Sequence, residues 1–307
     1  MIRKHTRRAA KAAFAISFGV AIIIGVFAGA ARSSPTAGPT IVIGTKNFGE
    51  EYILGALYQQ ALQAKGFHVV NKGDLGPTEN IQTALTSGKI NFYPEYTGVI
   101  VQDVFHKASS ASSARATYNE AKKLERTKGY TLLAMTPFYD TDVIAVTNAT
   151  AKKYGLKSIS DLSKVGSYSF AGQPECKTRN TCLVGYEKQY GIGHPKFVAV
   201  GSVSAYTLLD QGKALAADVF STDPPLGKNS KYTVLTDPKH VTGFQNVAPI
   251  VKASVASSAG SKFAATVNAV SAKLTIPAIV AMNKAFYVNQ ESAASIAKAF
   301  LKANGLL

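Results

Sequence analysis

The 307-residue sequence lacks the patterns that are typical of common catalytic and metal sites. It has no Gly-x-Ser-x-Gly nucleophile elbow and no glycine-rich phosphate-binding loop. The histidines are far apart in the sequence and show no metal-ligand spacing: His5, His68, His106, His194 and His240. These absences predict that the chain is not an enzyme and that it needs no cofactor or metal.

Cysteine is also scarce, and tryptophan is absent. The two cysteines, Cys176 and Cys182, lie close together in the sequence. In an oxidising compartment such a pair predicts a disulfide that closes a small loop. No cysteine lies near residue 30, so a lipid-modified cysteine at the start of a mature chain is not expected.

Acidic residues are few, with 18 Asp and Glu against 34 Lys and Arg, and the formal net charge is +16. Nucleic acid is the usual partner that such a charge predicts. The lysines are scattered, however, and the longest runs are only Lys122-Lys123 and Lys152-Lys153. We therefore predict no nucleic-acid partner, but a solvated basic surface with some attraction to anionic lipid or cell wall.

Residues 1–31 have the features of an export signal. Ala12 to Ala31 is uncharged and apolar, and Ala28-Gly29-Ala30 is a small-residue cleavage site. We predict a signal peptide over 1–31 and a linker over 32–40, with the remaining chain outside the cytoplasm. The alternative is a retained membrane anchor, since about twenty apolar residues can just span a bilayer. The basic residues before the apolar segment are Arg3, Lys4, Arg7, Arg8 and Lys11.

The chain from Ile41 to Tyr93 alternates strand and helix patterns, which predicts a parallel sheet with helices on its faces. Glu50 and Glu51 begin the first helix at its positive end. A second α/β unit follows, so we predict one lobe from residues 41–141 and 246–307 and another from 142–245. Two α/β lobes joined by two crossings form a cleft, as in solute receptors that close by hinge motion.

The stretch from Asn91 to Val99 contains the clearest candidate for a ligand contact. Pro94 cannot donate to a strand ladder, so the strand is predicted to end there. Tyr96 then lies just past the carboxyl end of the strand, where open α/β sheets bind ligands. Its electron-rich face suits an organic cation. The alternative is a packed aromatic side chain at the end of a strand.

Several separated motifs resemble the extracytoplasmic substrate-binding proteins of ABC importers for glycine betaine and related osmoprotectants. The resemblance runs from about Ile41 to Leu307 and implies a two-lobed type II periplasmic-binding-protein fold. It also implies a monomeric partner of a membrane permease that takes up a small zwitterionic or cationic solute. The motifs are Ile41–Phe48 with Glu51–Gly55, Asp74–Glu79, Tyr93–Gly98, Lys153–Leu156 with Ile159–Leu162, and Ala217–Asp223.

The family's ligand site can be carried over motif by motif. Tyr96 matches a tyrosine of the aromatic cage that holds the trimethylammonium group, and Phe220 stands where another cage tyrosine is common. Lys46 and Arg179 match the residues that bind the ligand carboxylate, for which a planar arginine fork is well suited. Asp140 matches a residue that lines the cage through its backbone. We add two neighbours as candidate contacts, namely Thr97 and Thr222, although Thr222 is alternatively a helix cap.

The sequence departs from the family at three expected site positions. Asp142 and Gln245 stand where further cage tyrosines are expected, and Val99 stands where a hydroxyl would help to hold the carboxylate. The loss of two rings weakens a cage in which each cation–π contact contributes about 0.5–2 kcal/mol. A carboxylate at Asp142 offsets part of this loss, and it also suits a less methylated amine.

The sequence therefore predicts a solute-binding component that captures glycine betaine or a related quaternary amine and delivers it to a permease. The alternatives are a binding protein for another small cation or zwitterion, such as an amino acid, and a membrane-anchored sensor. Catalysis is disfavoured because Glu95, the best candidate for an acid or base, has no obvious partner.

Overall fold

A computed structural model describes residues 38–107 and 112–307. The predicted signal peptide and most of the predicted linker lie outside the described residues. The strands are β1 Ile41–Thr45, β2 Val69–Asp74, β3 Phe92–Tyr96, β4 Tyr130–Leu132, β5 Asp142–Thr147, β6 Ser169–Gly172, β7 Lys196–Ala199, β8 Ala216–Phe220, β9 Tyr232–Val234 and β10 Val247–Lys252. The α-helices are α1 Gly49–Ala64, α2 Thr78–Thr86, α3 Thr97–Val99, α4 Ala114–Thr127, α5 Asn148–Tyr154, α6 Leu183–Tyr190, α7 Ala205–Asp210, α8 Ala253–Lys273, α9 Ile276–Tyr287 and α10 Ala293–Ala303.

The first sheet has the strand order β2-β1-β3-β10-β4, in which β10 runs antiparallel to both of its neighbours. Side chains alternate between its two faces, as the pleat of a strand requires. Phe92 and Val251 pack against α1, α8 and α10 on one face. Tyr93 and Ile250 pack against α2 and α4 on the other face. Both faces are therefore covered, which explains why β3 is buried along its whole length.

The second sheet has the order β7-β6-β8-β5-β9, with β5 antiparallel to β8 and β9. Ile144 and Val146 contribute to the core beneath α6, whereas Ala145 packs on the opposite face against α7. Cys176 and Cys182 form a disulfide, with their Cα atoms 5.1 Å apart. The predicted disulfide is confirmed, and it closes the loop between β6 and α6.

The chain crosses between the two sheets twice, from β4 to β5 and from β9 back to β10. The two crossings run side by side: Tyr139 and Asn246 form an antiparallel bridge, and the Asp140 N–H donates to the Gln245 carbonyl at 3.1 Å. The Asn246 side chain also donates to two carbonyls of the outgoing crossing, at 3.0 Å each. Because the two connections run side by side, they join the two sheets along one line. A cleft between the sheets remains beside these connections.

The prediction that β3 ends at Pro94 is wrong, because the strand continues to Tyr96. Pro94 lies directly opposite Pro249 in the antiparallel pairing of β3 with β10. Residues opposite one another in such a pair alternate between bonded and non-bonded positions, and two prolines fit only a non-bonded one. On its other side, β3 pairs with β1 only at Phe92, so no donor is required of Pro94 there.

In the described ranges, no single helix is long and apolar enough to cross a membrane. Helices α8 and α9 meet that criterion only when they are taken together, and they are bent by 85° at the break between them. Both contribute side chains to the core of the first sheet, among them Phe263, Val267 and Ile279.

Candidate functional site

A cleft between the two sheets is lined by residues that follow strands of both, and it encloses about 660 Å³ including its opening to solvent. Seven of the nine predicted ligand-binding residues line it, and they come from both lobes. The first lobe contributes Lys46 and Tyr96, the crossings contribute Asp140 and Gln245, and the second lobe contributes Asp142, Arg179 and Phe220.

One wall of the cleft is a stack of three aromatic rings. Phe48 lies between the other two, with its ring centroid 6.2 Å from that of Tyr96 and 5.1 Å from that of Phe220. The three rings are close to parallel, with interplanar angles of 28° and 18°. Phe48 thus joins an aromatic residue of one lobe to an aromatic residue of the other. The sequence did not single it out as a site residue, although it lies two positions after Lys46 in the loop that follows β1.

An ammonium group already lies against this wall, because the Lys46 side chain turns inward. Its Nζ is 4.2 Å from the centroid of the Tyr96 ring and 5.6 Å from that of Phe48. The same Nζ donates to Glu95, whose side chain is fully buried. Both distances are typical of cation–π contacts. The geometry therefore shows that these ring faces can hold an organic cation, and that Lys46 lies at the ring face rather than apart from it.

The Tyr96 ring is fixed by a buried carboxylate that the sequence analysis assigned only to a helix start. The Tyr96 hydroxyl donates to Glu50 at 2.7 Å. Glu50 also accepts hydrogen bonds from the hydroxyl of Thr222 at 2.8 Å and from the side-chain amide of Asn283 at 2.9 Å. Burial raises the pKa of Glu50, while its hydrogen-bond donors act in the opposite direction. One carboxylate thus joins the aromatic wall to the loop that follows β8 and to α9.

Glu51, the next residue, is fully buried, and its Oε1 has no hydrogen-bond partner within the described ranges. Burial raises the pKa of Glu51 to about 8. Because the folded-state pKa lies above that of an unfolded chain, the stability contributed by the neutral acid is complete at low pH. It is lost as the pH rises from about 4.5 through about 8.

We expect Glu51→Gln, which keeps a neutral side chain at every pH, to remove this loss. The stability advantage of the variant over the wild type should grow by about 1 kcal/mol or more between pH 5 and pH 8. Urea unfolding at several pH values measures the difference. A difference that stays constant or shrinks with rising pH would contradict a neutral, buried Glu51.

Two carboxylates, one from a crossing and one from the second lobe, also line the cleft. Asp140 is buried and accepts hydrogen bonds from the Ser221 hydroxyl at 2.9 Å and from the Thr222 N–H at 3.0 Å. Burial raises the pKa of Asp140 well above its usual range. Asp142 stands opposite Phe220 in the pairing of β5 with β8, and burial raises its pKa to about 6. The residue that replaces an expected cage tyrosine therefore does line the cleft, beside an aromatic ring.

Gln245 also lines the cleft, but its amide is held by backbone groups. Its Oε1 accepts from the Val99 N–H at 3.1 Å, and its Nε2 donates to the Thr242 carbonyl. Gly98 permits this approach, since a Cβ there would lie 2.5 Å from Nε2. Thr97 and Thr222 are not among the cleft-lining residues. The Thr97 hydroxyl donates to the Phe244 carbonyl at 2.8 Å, and the Thr222 hydroxyl donates to Glu50.

Arg179 lines the cleft and is bound to the other lobe. Its Nε and Nη2 donate to Glu79 of α2 at 3.0–3.2 Å, in the fork geometry that a carboxylate favours. Nearby, the Thr181 hydroxyl donates to Asp103 at 2.5 Å. These contacts bridge the two lobes beside the cleft. Arg179, which was predicted to bind the carboxylate of the ligand, is thus paired with the carboxylate of Glu79.

We expect Glu79→Gln to weaken this bridge and to raise the dissociation rate of a bound ligand about two- to fivefold. The effect is modest because the Glu79 side chain is half-exposed, and it should shrink further as salt is added. A chase of radiolabelled ligand at low and high salt measures it, with Glu120→Gln on α4 as a control for the lost charge. If both variants release ligand at the same rate, the bridge does not hold the lobes together.

Comparison with known proteins agrees with this geometry. Residues 39–303 match the family described as the substrate-binding domain of ABC-type glycine betaine transport systems, OpuAC. The chain belongs to this family. The predicted resemblance is therefore confirmed, and the chain is a substrate-binding protein of the ABC-transport type.

Two known bacterial proteins are similar to this chain along most of their length. The glycine betaine-binding protein YehZ of Escherichia coli K12 is 31% identical over 71% of this chain and 76% of its own. The glycine-betaine-binding protein of Pseudomonas aeruginosa PAO1 is 29% identical over 87% of this chain and 89% of its own. Both names describe the ligand of the relative.

Solved structures confirm the predicted two-lobed α/β fold. Apo YehZ from Escherichia coli is similar with a TM-score of 0.61 and 28% identity, covering 87% of this chain and 99% of that one. Lactococcal OpuAC, in its closed conformation with glycine betaine, has a TM-score of 0.61 at 14% identity, covering 87% of this chain and 96% of that one. At that identity the second likeness concerns the fold alone.

Proposed function

We propose that this chain captures a quaternary-amine solute in the cleft and delivers it to a membrane permease of the ABC type. The observation that carries the proposal is the aromatic wall of Phe48, Tyr96 and Phe220, with an ammonium group held 4.2 Å from the Tyr96 ring centroid. A surface that accommodates the ammonium of Lys46 has the shape and electrostatics for a ligand cation. The names of the two bacterial relatives support glycine betaine as the first ligand to test.

Binding in this arrangement requires Lys46 to move. A trimethylammonium group over the Tyr96 ring takes the position of the Lys46 Nζ. The displaced ammonium stays within reach of the same ligand, where it can pair with a carboxylate, as the family resemblance implies for this residue. Lys46 thereby exchanges one buried carboxylate, Glu95, for that of the ligand. The exchange keeps the charge within the site balanced.

The proposed contacts on the ligand are the cleft-lining residues predicted from sequence, with Phe48 added. We place Thr97 and Thr222 behind them, as residues that hold Phe244 and Glu50 in position. The site is proposed to bind without catalysis. In support, the described residues that line the cleft include no histidine, and Glu95, the candidate acid or base, is paired with the ammonium of Lys46.

The protein is proposed to act outside the cytoplasm as a monomer. The disulfide supports this location, because such bonds persist in oxidising compartments. The signal-like N-terminal segment supports it as well. Mass spectrometry of the N-terminus of the exported protein separates a released receptor, which starts near residue 32, from a membrane-anchored sensor, which keeps the apolar segment.

Calorimetric titration tests the proposed ligand class, and heat is a suitable probe because the chain has no tryptophan. The panel is glycine betaine, proline betaine, choline, carnitine, ectoine and unmethylated glycine. We expect at least one quaternary amine to bind and glycine not to bind. Binding of none by a folded protein would remove the quaternary-amine assignment.

A second candidate ligand is an amino acid or another incompletely methylated cation. Asp142 favours it, because a carboxylate stands where the family resemblance leads one to expect an aromatic ring. Stepwise N-methylation of glycine separates the two candidates: affinity rises with each methyl group if the rings dominate, and it falls if the carboxylate dominates.

A further inference from the structure

Asp218 is a buried carboxylate in the cleft that the sequence analysis did not select. It lies on β8, is 7% exposed, and lines the same cleft as the aromatic wall. Its Oδ1 is buried and has no hydrogen-bond partner among residues 38–107 and 112–307. A buried acceptor without a donor is costly for the folded protein and requires an explanation.

A metal ion does not explain this carboxylate. Asp218 lies close to the sulfur atoms of Cys176 and Cys182, a grouping that resembles a metal site. Both sulfur atoms are bonded to each other in the disulfide, so neither is available as a thiolate ligand. One carboxylate remains, which is too few ligands for a closed metal site.

The position of Asp218 in the sheet brings it next to the aromatic wall. Asp218 and Phe220 are two residues apart on β8, so their side chains leave the same face of the strand, about 7 Å apart along it. Asp142 lies opposite Phe220 on β5. An aromatic surface for a cation thus has two carboxylates beside it, and Oδ1 of Asp218 has no donor among the described residues.

Burial, together with the neighbouring Asp142, raises the pKa of Asp218 well above its usual range. In either protonation state the side chain keeps an oxygen that accepts a hydrogen bond. Glycine betaine has neither N–H nor O–H, so it leaves this oxygen unsatisfied when the cleft closes. A hydroxylated quaternary amine, or an amine that retains one N–H, supplies the missing donor.

We propose that Asp218 accepts a hydrogen bond from the bound ligand, and that this protein selects amines carrying an N–H or O–H donor over glycine betaine. The inference rests on the proposed function, since it concerns the same cleft and a ligand cation bound at the same aromatic wall. It adds a specificity-determining residue and narrows the substrate class.

Matched ligand pairs that differ by one donor test the proposal in calorimetry. Choline is compared with its methyl ether, and N,N-dimethylglycine with glycine betaine. We expect the donor-bearing member of each pair to bind about tenfold or more tightly to the wild type, as a hydrogen bond to a buried carboxylate implies. Asp218→Ala should abolish both preferences. Asp218→Asn, which keeps the shape and one acceptor oxygen, should retain part of them, and Glu120→Gln should retain them in full.

The outcomes separate this inference from the proposed function. If the methyl ether and glycine betaine bind the wild type as tightly as their partners, quaternary-amine binding stands and the role of Asp218 is overturned. A preference that survives in Asp218→Ala also overturns it. If no member of either pair binds, the proposed function and this inference fail together. The wild-type comparison needs no variant, so it holds even if Asp218→Ala does not fold.

Discussion

Tyr96→Ala is expected to lower the affinity for a quaternary amine by about ten- to thirtyfold. The ring lies at cation–π distance from the ammonium of Lys46 and is 4% exposed, so it acts in a desolvated setting where such contacts contribute about 2 kcal/mol. Calorimetric titration of the variant with the tightest ligand of the panel measures the loss. Unchanged affinity would remove Tyr96 from the site.

Two further variants separate the contribution of the aromatic ring to binding from that of the Tyr96 hydroxyl and from the loss of stability that Tyr96→Ala causes. Tyr96→Phe keeps the ring but loses the hydrogen bond to Glu50, and it should bind nearly as well as the wild type. Phe48→Leu removes the central ring of the wall at a half-buried position, so it should weaken binding with little loss of stability. Tyr96→Ala, in contrast, also creates a cavity that costs about 3–5 kcal/mol. The measurement therefore includes a check that the variant is folded at the working temperature.

The parts of the site that follow strand ends could be predicted from the sequence. Tyr96 and Phe220 each lie at the carboxyl end of a strand with a clear apolar pattern, and Lys46 lies in the loop just after one. Their order along the chain matches motifs of one family, so the family's roles could be assigned to them. The two-lobed fold followed from the same alternation of strand and helix patterns.

The partners of these residues could not be predicted, because they are set by contacts between distant segments. Arg179 and Glu79 are 100 residues apart in the sequence, and nothing in either segment indicates the pair. Glu50 has the local pattern of an exposed acidic residue at a helix start. It is buried only because α9 and the end of β8 close over it. Pro94 likewise stays within a strand because of Pro249, which lies far along the chain.

Acidic side chains outnumber basic ones in the cleft, whereas basic residues outnumber acidic ones in the whole chain. The formal net charge is +16, whereas the aromatic wall is surrounded by carboxylates with few cations among them. A basic surface repels free cations at long range, but salt screens it within about 10 Å. Inside the cleft the local carboxylates dominate. Under the proposed function, selectivity for cations therefore comes from short-range contacts in the cleft rather than from the overall charge of the chain.

Lys46→Met is expected to lower the free energy of unfolding by about 3–5 kcal/mol, the largest loss of stability that we expect from a single lost charge. The substitution removes the cation that pairs with Glu95, a carboxylate with no exposed surface. An uncompensated buried charge is far more costly than the pair that it came from. The remaining donors to Glu95, the Thr78 hydroxyl at 3.0 Å and the Tyr96 N–H at 2.8 Å, do not neutralise it.

A double-mutant cycle identifies the cause of that loss. In Lys46→Met combined with Glu95→Gln, no buried charge remains unpaired, so we expect at least half of the lost stability to return. Lys231→Met serves as the control, because its ion pair with Asp210 is on the surface and should matter little. Urea unfolding measures the free energy of unfolding of the wild type, the two single variants, the double variant and the Lys231→Met control. If the two single losses simply add in the double variant, the ammonium of Lys46 is not bound to Glu95, and the exchange of carboxylates proposed for ligand binding has no starting point.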